Sequence, residues 1–129
     1  MVFSDPEIAT AGLGEDAARK QGMDVRVARF ALGGSGRAAT LGAREGFTQL
    51  VIDAATDRIV GVQIVGPRAT ELAAGGVLTI EMLASPSDLS GTLFPHPTFS
   101  EGLHEAAEML LGRYPDAGYR GGARCANAI

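Results

Sequence analysis

Two runs of β-branched residues joined by a short polar stretch constrain this chain more than any other feature. Phe47-Thr48-Gln49-Leu50-Val51-Ile52-Asp53 leads into Ala54-Ala55-Thr56-Asp57-Arg58, and Ile59-Val60-Gly61-Val62-Gln63-Ile64-Val65-Gly66 follows. Branching at Cβ suits a pleated, half-buried surface and the polar stretch suits a tight reversal, so the pattern predicts a β-hairpin. A further strand is expected at Val25-Arg26-Val27-Ala28-Arg29-Phe30, which alternates apolar and polar residues with a period of two and so has one wet face.

Helical signals lie on either side. Between Gly14 and Gly22, Glu15 and Asp16 open a segment that Arg19 and Lys20 close, which matches the helix dipole at both ends. From Arg68 to Ala84, Ala69, Leu72, Ala73, Gly76, Ile80 and Leu83 recur at spacings of three and four, bracketed by Pro67 and Pro86. Gly75-Gly76 inside that helix costs about 1 kcal/mol per glycine relative to alanine, which suggests close approach of another backbone. Ser85 to Pro97 reads as a loop, and Ser100 to Gly112 as a helix with Leu103, Ala106, Ala107, Leu110 and Leu111 on its apolar face. Val2 to Ser4 is extended, Asp5-Pro6-Glu7 is a turn, and Ile8 to Leu13 is a short apolar continuation. Strand, helix, strand, hairpin, helix, loop and helix in that order make an α+β fold, an antiparallel β-sheet with flanking helices.

A chain of 129 residues closes one core, and with 46% hydrophobic and 20% charged residues it is expected to be globular. The net charge of −4, without a basic stripe, argues against nucleic acid as a partner. Asp5 and Glu7 come before any apolar run, and no stretch approaches the roughly 18 apolar residues of a membrane span. A soluble, cytoplasmic chain with no membrane partner is therefore expected. Its single cysteine, Cys125, can form neither an internal disulfide nor a CxxC pair, so any dithiol chemistry must borrow its sulfur from elsewhere. Residues 1–112 are expected to form the domain, and 113–129, RYPDAGYRGGARCANAI, a poorly ordered tail.

Three motifs carry chemistry. Gly34-Ser35-Gly36-Arg37-Ala38-Ala39 imitates a dinucleotide fingerprint, with Asp53 as its acid, but the stretch to Phe47 is too short and too broken at Gly42 for the helix such a site needs. Glu101-x-x-His104, with Glu105 and Glu108, resembles half of a di-iron site whose other half is missing, so no metal is expected and the stretch reads as a solvated helix face. Pro95-His96-Pro97-Thr98-Phe99-Ser100-Glu101 is the informative segment. Prolines on both sides of His96 present the imidazole from a stiff, non-helical backbone, and Glu101 can turn back to hold one ring nitrogen while the other acts as a base. The same residues also spell an S/T-x-x-E capping box, in which Glu101 merely bonds the Thr98 N–H. Both readings stand at this point, since a carboxylate has two oxygens.

Val2-Phe3-Ser4-Asp5-Pro6-Glu7-Ile8-Ala9, Gly36-Arg37-Ala38, Gly46-Phe47, Arg58-Ile59-Val60-Gly61, Ile64-Val65-Gly66-Pro67 and His96-Pro97-Thr98-Phe99-Ser100-Glu101 together resemble the C-terminal dimerisation domain of the pyridine nucleotide-disulfide oxidoreductases, nearest to the dihydrolipoamide dehydrogenase branch. The resemblance runs from about Val2 to Leu111. It departs at Gln49, where the family often has lysine, and at Phe94, where it often has a second histidine. It implies an FAD- and NAD-linked enzyme whose cofactors are bound mainly by other domains. It also implies a homodimer in which this domain lends His96 as acid/base and Glu101 as its orienter to the partner subunit, with His96 and Pro97 near the flavin. A dithiol such as dihydrolipoamide would be the substrate. Alone, as a fragment or a separately encoded domain, the chain is expected to be inactive; the alternative is a non-catalytic dimerisation or binding module.

Overall fold

A computed structural model describes residues 1–113. Beyond Arg113 the expected tail lies outside the described residues. Strands β1 (Ile8–Gly12), β2 (Val25–Ala31), β3 (Phe47–Asp53) and β4 (Arg58–Val65) form one antiparallel sheet in the order β1-β4-β3-β2. Helices α1 (Glu15–Lys20), α2 (Gly36–Leu41), α3 (Ala69–Glu81), α4 (Pro86–Ser90) and α5 (Glu101–Leu110) complete the domain, with a 3-10 turn at Leu32–Gly34. The α+β arrangement and the β3–β4 hairpin agree with the sequence. Ahead of β1 the chain reverses on itself, Val2 and Ile8 exchanging both backbone hydrogen bonds.

The hairpin register breaks once. Val51 lies opposite Gly61 and Ile52 opposite Ile59, leaving Val60 as an extra residue on β4. Such a bulge changes the phase of the side-chain alternation. Ile59 therefore joins Val62, Ile64, Leu50 and Ile52 in the main core, while Val60 turns to the other face and packs with Ala18, Val25 and Val51. Leu50 and Ile52 are fully enclosed, and burial of side chains of this size contributes about 1.5–3 kcal/mol each.

Two helices cover the main-core face, α3 across β1 and β4, and α5 across β2 and β3. The expected reason for Gly76 needs correction: a Cβ there would meet the Val62 side chain at 3.0 Å, so a strand side chain, not a backbone, fills the space. Leu83, expected on the buried face, is exposed. With Val77, Leu78 and Met82 it forms an apolar outer patch at the C-terminal half of α3 and just beyond.

The stretch 85–97, read as a loop, contains α4. Ser85 accepts from the Asp88 N–H while the Asp88 carboxylate accepts from Ser85, a complete capping box with Pro86 at the first helical position. These hydrogen bonds from the Ser85 amide and hydroxyl hold the Asp88 carboxyl below its usual range.

The N-terminus of α3 has no cap in its own sequence. Glu7, 63 residues upstream, supplies one, accepting from the Thr70 hydroxyl at 2.6 Å and the Thr70 N–H at 2.9 Å. The Thr70 hydroxyl, then its amide, lower the Glu7 carboxyl from its ordinary range. A carboxylate depressed on folding stabilises above its unfolded value, about 4.3, and the gain disappears as pH falls through the folded value. Glu7→Gln is therefore expected to lower the thermal midpoint at pH 7 and to match the parent at acid pH. A gap between the two melting curves that stays constant from pH 7 to pH 2 would contradict this assignment.

Candidate functional site

His96 stands on the exposed turn between α4 and α5, and its side chain is 77% exposed. Its Nδ1 lies 2.7 Å from Glu101 Oε1, and the His96-Pro97 peptide is cis. Glu101 opens α5 with a side chain that is 23% exposed, so the carboxylate is mostly shielded while the imidazole reaches outward. Its second oxygen, Oε2, accepts from the Thr98 N–H at 2.8 Å. The acid-base geometry and half of the capping box thus exist together, one on each oxygen. The reciprocal half of the box is not made: the Thr98 hydroxyl donates to the Pro95 carbonyl and contacts Ser100 Oγ.

The entrance of α5 is firmly seated. Phe99, 6% exposed, packs with Leu32 and Ala38. Gly102 lies directly on β3: a Cβ there would stand 2.5 Å from Thr48 Oγ1 and 3.1 Å from Thr48 Cβ. Thr48 is buried and stiff at χ1, so this contact sets how close the first turn of α5 comes to the sheet.

The Glu101-x-x-His104 face differs from the solvated surface expected. His104 is half-buried, its ring centroid is 6.2 Å from that of Phe94, and its buried Nδ1 has no hydrogen-bond partner among the described residues. Together with Ser90, Thr92, Glu101 and Glu105 they line an open cleft of about 320 Å³. Burial pushes the Glu105 carboxyl up; His104 opposes this, and the charges of Glu101 and Glu108 add to it more weakly. Glu108 is tied to the Ser90 hydroxyl. No group of three or more His, Cys, Asp or Glu residues that could hold a metal ion occurs among the described residues. The cleft had no signal in the sequence beyond the i, i+3 and i, i+4 spacing, because its other wall is the end of α4 and the residues that follow it, brought against α5 by packing.

Taken together, a four-stranded antiparallel sheet, two helices on one face and a proline-framed histidine held by the first residue of the last helix define the class. The family model for the pyridine nucleotide-disulphide oxidoreductase dimerisation domain matches residues 1–107, and the chain belongs to that family.

Within the family it is close to the dihydrolipoyl dehydrogenases. It is 53% identical over 110 residues to that of Thermus scotoductus, covering 85% of this chain and 24% of the relative. To that of Halobacterium salinarum it is 50% identical over 111 residues, covering 86% of this chain and 23% of the relative. Among solved structures, LpdA from Mycobacterium tuberculosis superposes with a TM-score of 0.78 at 27% identity, over 84% of this chain and 24% of LpdA. The flavoprotein disulfide reductase RclA from Escherichia coli, at 23% identity and a TM-score of 0.79 over 84% of this chain and 25% of its own, shares the fold. The chain spans about a quarter of the length of these relatives.

The family implies FAD and NAD. Residues 95–97 of this chain form an exposed, non-helical edge in which neither proline carries an N–H. The glycine-rich stretch Gly34-Ser35-Gly36 leads into α2. The helix that follows has six residues, and Ser35 Oγ already takes the Ala38 N–H.

Proposed function

We propose that this chain serves as the interface domain of a dihydrolipoamide dehydrogenase-type enzyme, a cytoplasmic homodimer in which His96 is the acid/base for the partner subunit's dithiol–disulfide exchange. The observation that carries this reading is the 2.7 Å contact from Glu101 to Nδ1 of a largely exposed imidazole. A carboxylate at Nδ1 holds the proton there, so in the neutral ring Nε2 is left as the accepting nitrogen. Only a thiolate attacks a disulfide, and a dithiol with a pKa near 8.5 is mostly protonated at neutral pH. His96 Nε2 takes that proton as the substrate sulfur bonds to one sulfur of the enzyme's disulfide and displaces the other as thiolate. Glu101 stabilises the imidazolium that results.

FAD and NAD, held mainly by the neighbouring domains, supply the onward passage of the electron pair when bound. His96 and Pro97 give the flavin its edge contact from this chain. The outer patch of Val77, Leu78, Met82 and Leu83 is covered by a second copy, which brings His96 to the partner's site.

Glu101→Gln separates this role from capping. A glutamine can still accept from the Thr98 N–H, but its amide NH₂ would then donate to His96 Nδ1 and move the ring proton to Nε2, the nitrogen that must accept. Turnover of dihydrolipoamide by this chain assembled with FAD and NAD domains is expected to fall roughly 10- to 100-fold. The ring ¹⁵N shifts of the chain should report inversion of the tautomer while the thermal midpoint stays near the parent's. Equal losses of activity and midpoint in Glu101→Gln and Glu101→Ala would leave Glu101 as a cap alone.

A further inference from the structure

We infer that Thr98 is the positioning residue of this site, its hydroxyl closing the turn that carries His96 so that its amide is free to hold Glu101. The inference rests on the His96–Glu101 reading above. Residues 95–98 make a reversal that a β-turn would close by donating the Thr98 N–H to the Pro95 carbonyl. That amide donates instead to Glu101 Oε2 at 2.8 Å. Pro97 has no N–H to offer. The Thr98 hydroxyl takes over, donating to the Pro95 carbonyl at 2.7 Å.

A hydroxyl has one proton, so its 2.7 Å contact with Ser100 Oγ must be made by the Ser100 proton. The two hydroxyls thus form one chain of donors from Ser100 through Thr98 to Pro95, and the Thr98 amide fastens Glu101 beside it. Two prolines stiffen the turn locally, and the Thr98 side chain, bonded to both Pro95 and Ser100, helps to fix its orientation against the entrance of α5.

Removing the hydroxyl forces a choice. In Thr98→Val the hydroxyl bond to the Pro95 carbonyl is lost, and where the Thr98 amide closes the turn in its place, the bond it makes there is one that Glu101 loses. The carboxylate then rotates away from the geometry that holds His96 Nδ1. Thr98→Ser keeps the hydroxyl and with it the arrangement.

The test uses the 129-residue chain and its assembly with FAD and NAD domains. In the chain alone, ring ¹⁵N shifts of His96 should show the Nδ1–H form falling at least threefold relative to Nε2–H in Thr98→Val and unchanged in Thr98→Ser. In the assembled enzyme, kcat for dihydrolipoamide should fall about tenfold in the valine variant, with KM within about twofold, and stay near the parent in the serine variant. A valine variant that melts earlier but keeps the parent tautomer ratio would overturn the inference, as would a serine variant impaired as much as valine. If the tautomer responds as expected but His96→Gln leaves turnover intact, the clamp stands and the catalytic reading fails.

Discussion

His96→Gln is expected to lower dihydrolipoamide turnover in the assembled enzyme by about 10² to 10⁴, the range typical for loss of a positioned base. Stability should hardly move. The side chain is 77% exposed and its one partner among the described residues is Glu101, so the cost to folding should stay below about 1 kcal/mol, as for exposed ion pairs. A large kinetic loss on an unchanged melting curve would place the defect in proton transfer. Mixed dimers extend the test to the partner's site: a His96→Gln subunit paired with one whose redox disulfide is disabled should recover about half of the parent activity if the histidine acts across the interface. Mixed dimers no more active than either variant homodimer would rule out action in trans, and His96→Gln turnover within about twofold of the unsubstituted enzyme would remove the histidine from the mechanism.

Gly46→Ala is expected to cost about 3–5 kcal/mol, among the largest single-site losses in this domain. Gly46 has φ 121°, where side chains are strained, and a Cβ would sit 2.0 Å from the Val65 carbonyl oxygen and 2.8 Å from its carbon. Both contacts are backbone of the paired strand, which cannot swing aside, and the Gly46 carbonyl also accepts from the Leu32 N–H at 3.0 Å. The thermal midpoint should fall by more than about 10 °C. Gly42→Ala is the control: Gly42 is also left-handed, at φ 65°, as the C-terminal cap of α2, but nothing lies within 4 Å of its Cβ position. That variant should lose only about 1 kcal/mol. Equal midpoints for the two would show that the approach of Val65 is not what makes Gly46 necessary.

The parts of the candidate site legible in sequence were those carried by neighbours along the chain. Proline on each side of His96 restricts its backbone wherever the segment lies, and five residues bring Glu101 back to it across one turn. α4 was legible too, in Ser85-Pro86-Ser87-Asp88, but the prolines of the stretch outweighed a capping box that uses one of them at its first position. The His104 cleft was hidden as a consequence, since the residues after α4 make its far wall.

What the sequence determined by itself was local: the β3–β4 hairpin, the apolar face of α5 and the return of Glu101 to His96, each following from side-chain periodicity or from restricted φ over a few residues. Tertiary structure alone decided the rest. The Val60 bulge exists because Ile59 must share a core with Ile64, and Glu7 caps α3 because packing brings together residues 63 positions apart. The division of the Glu101 carboxylate between His96 and Thr98 arises because the turn and the entrance of α5 are pressed onto one sheet. These outcomes depend on distances between segments, and such distances are set by burial and close packing over the whole domain, which no short window of residues contains.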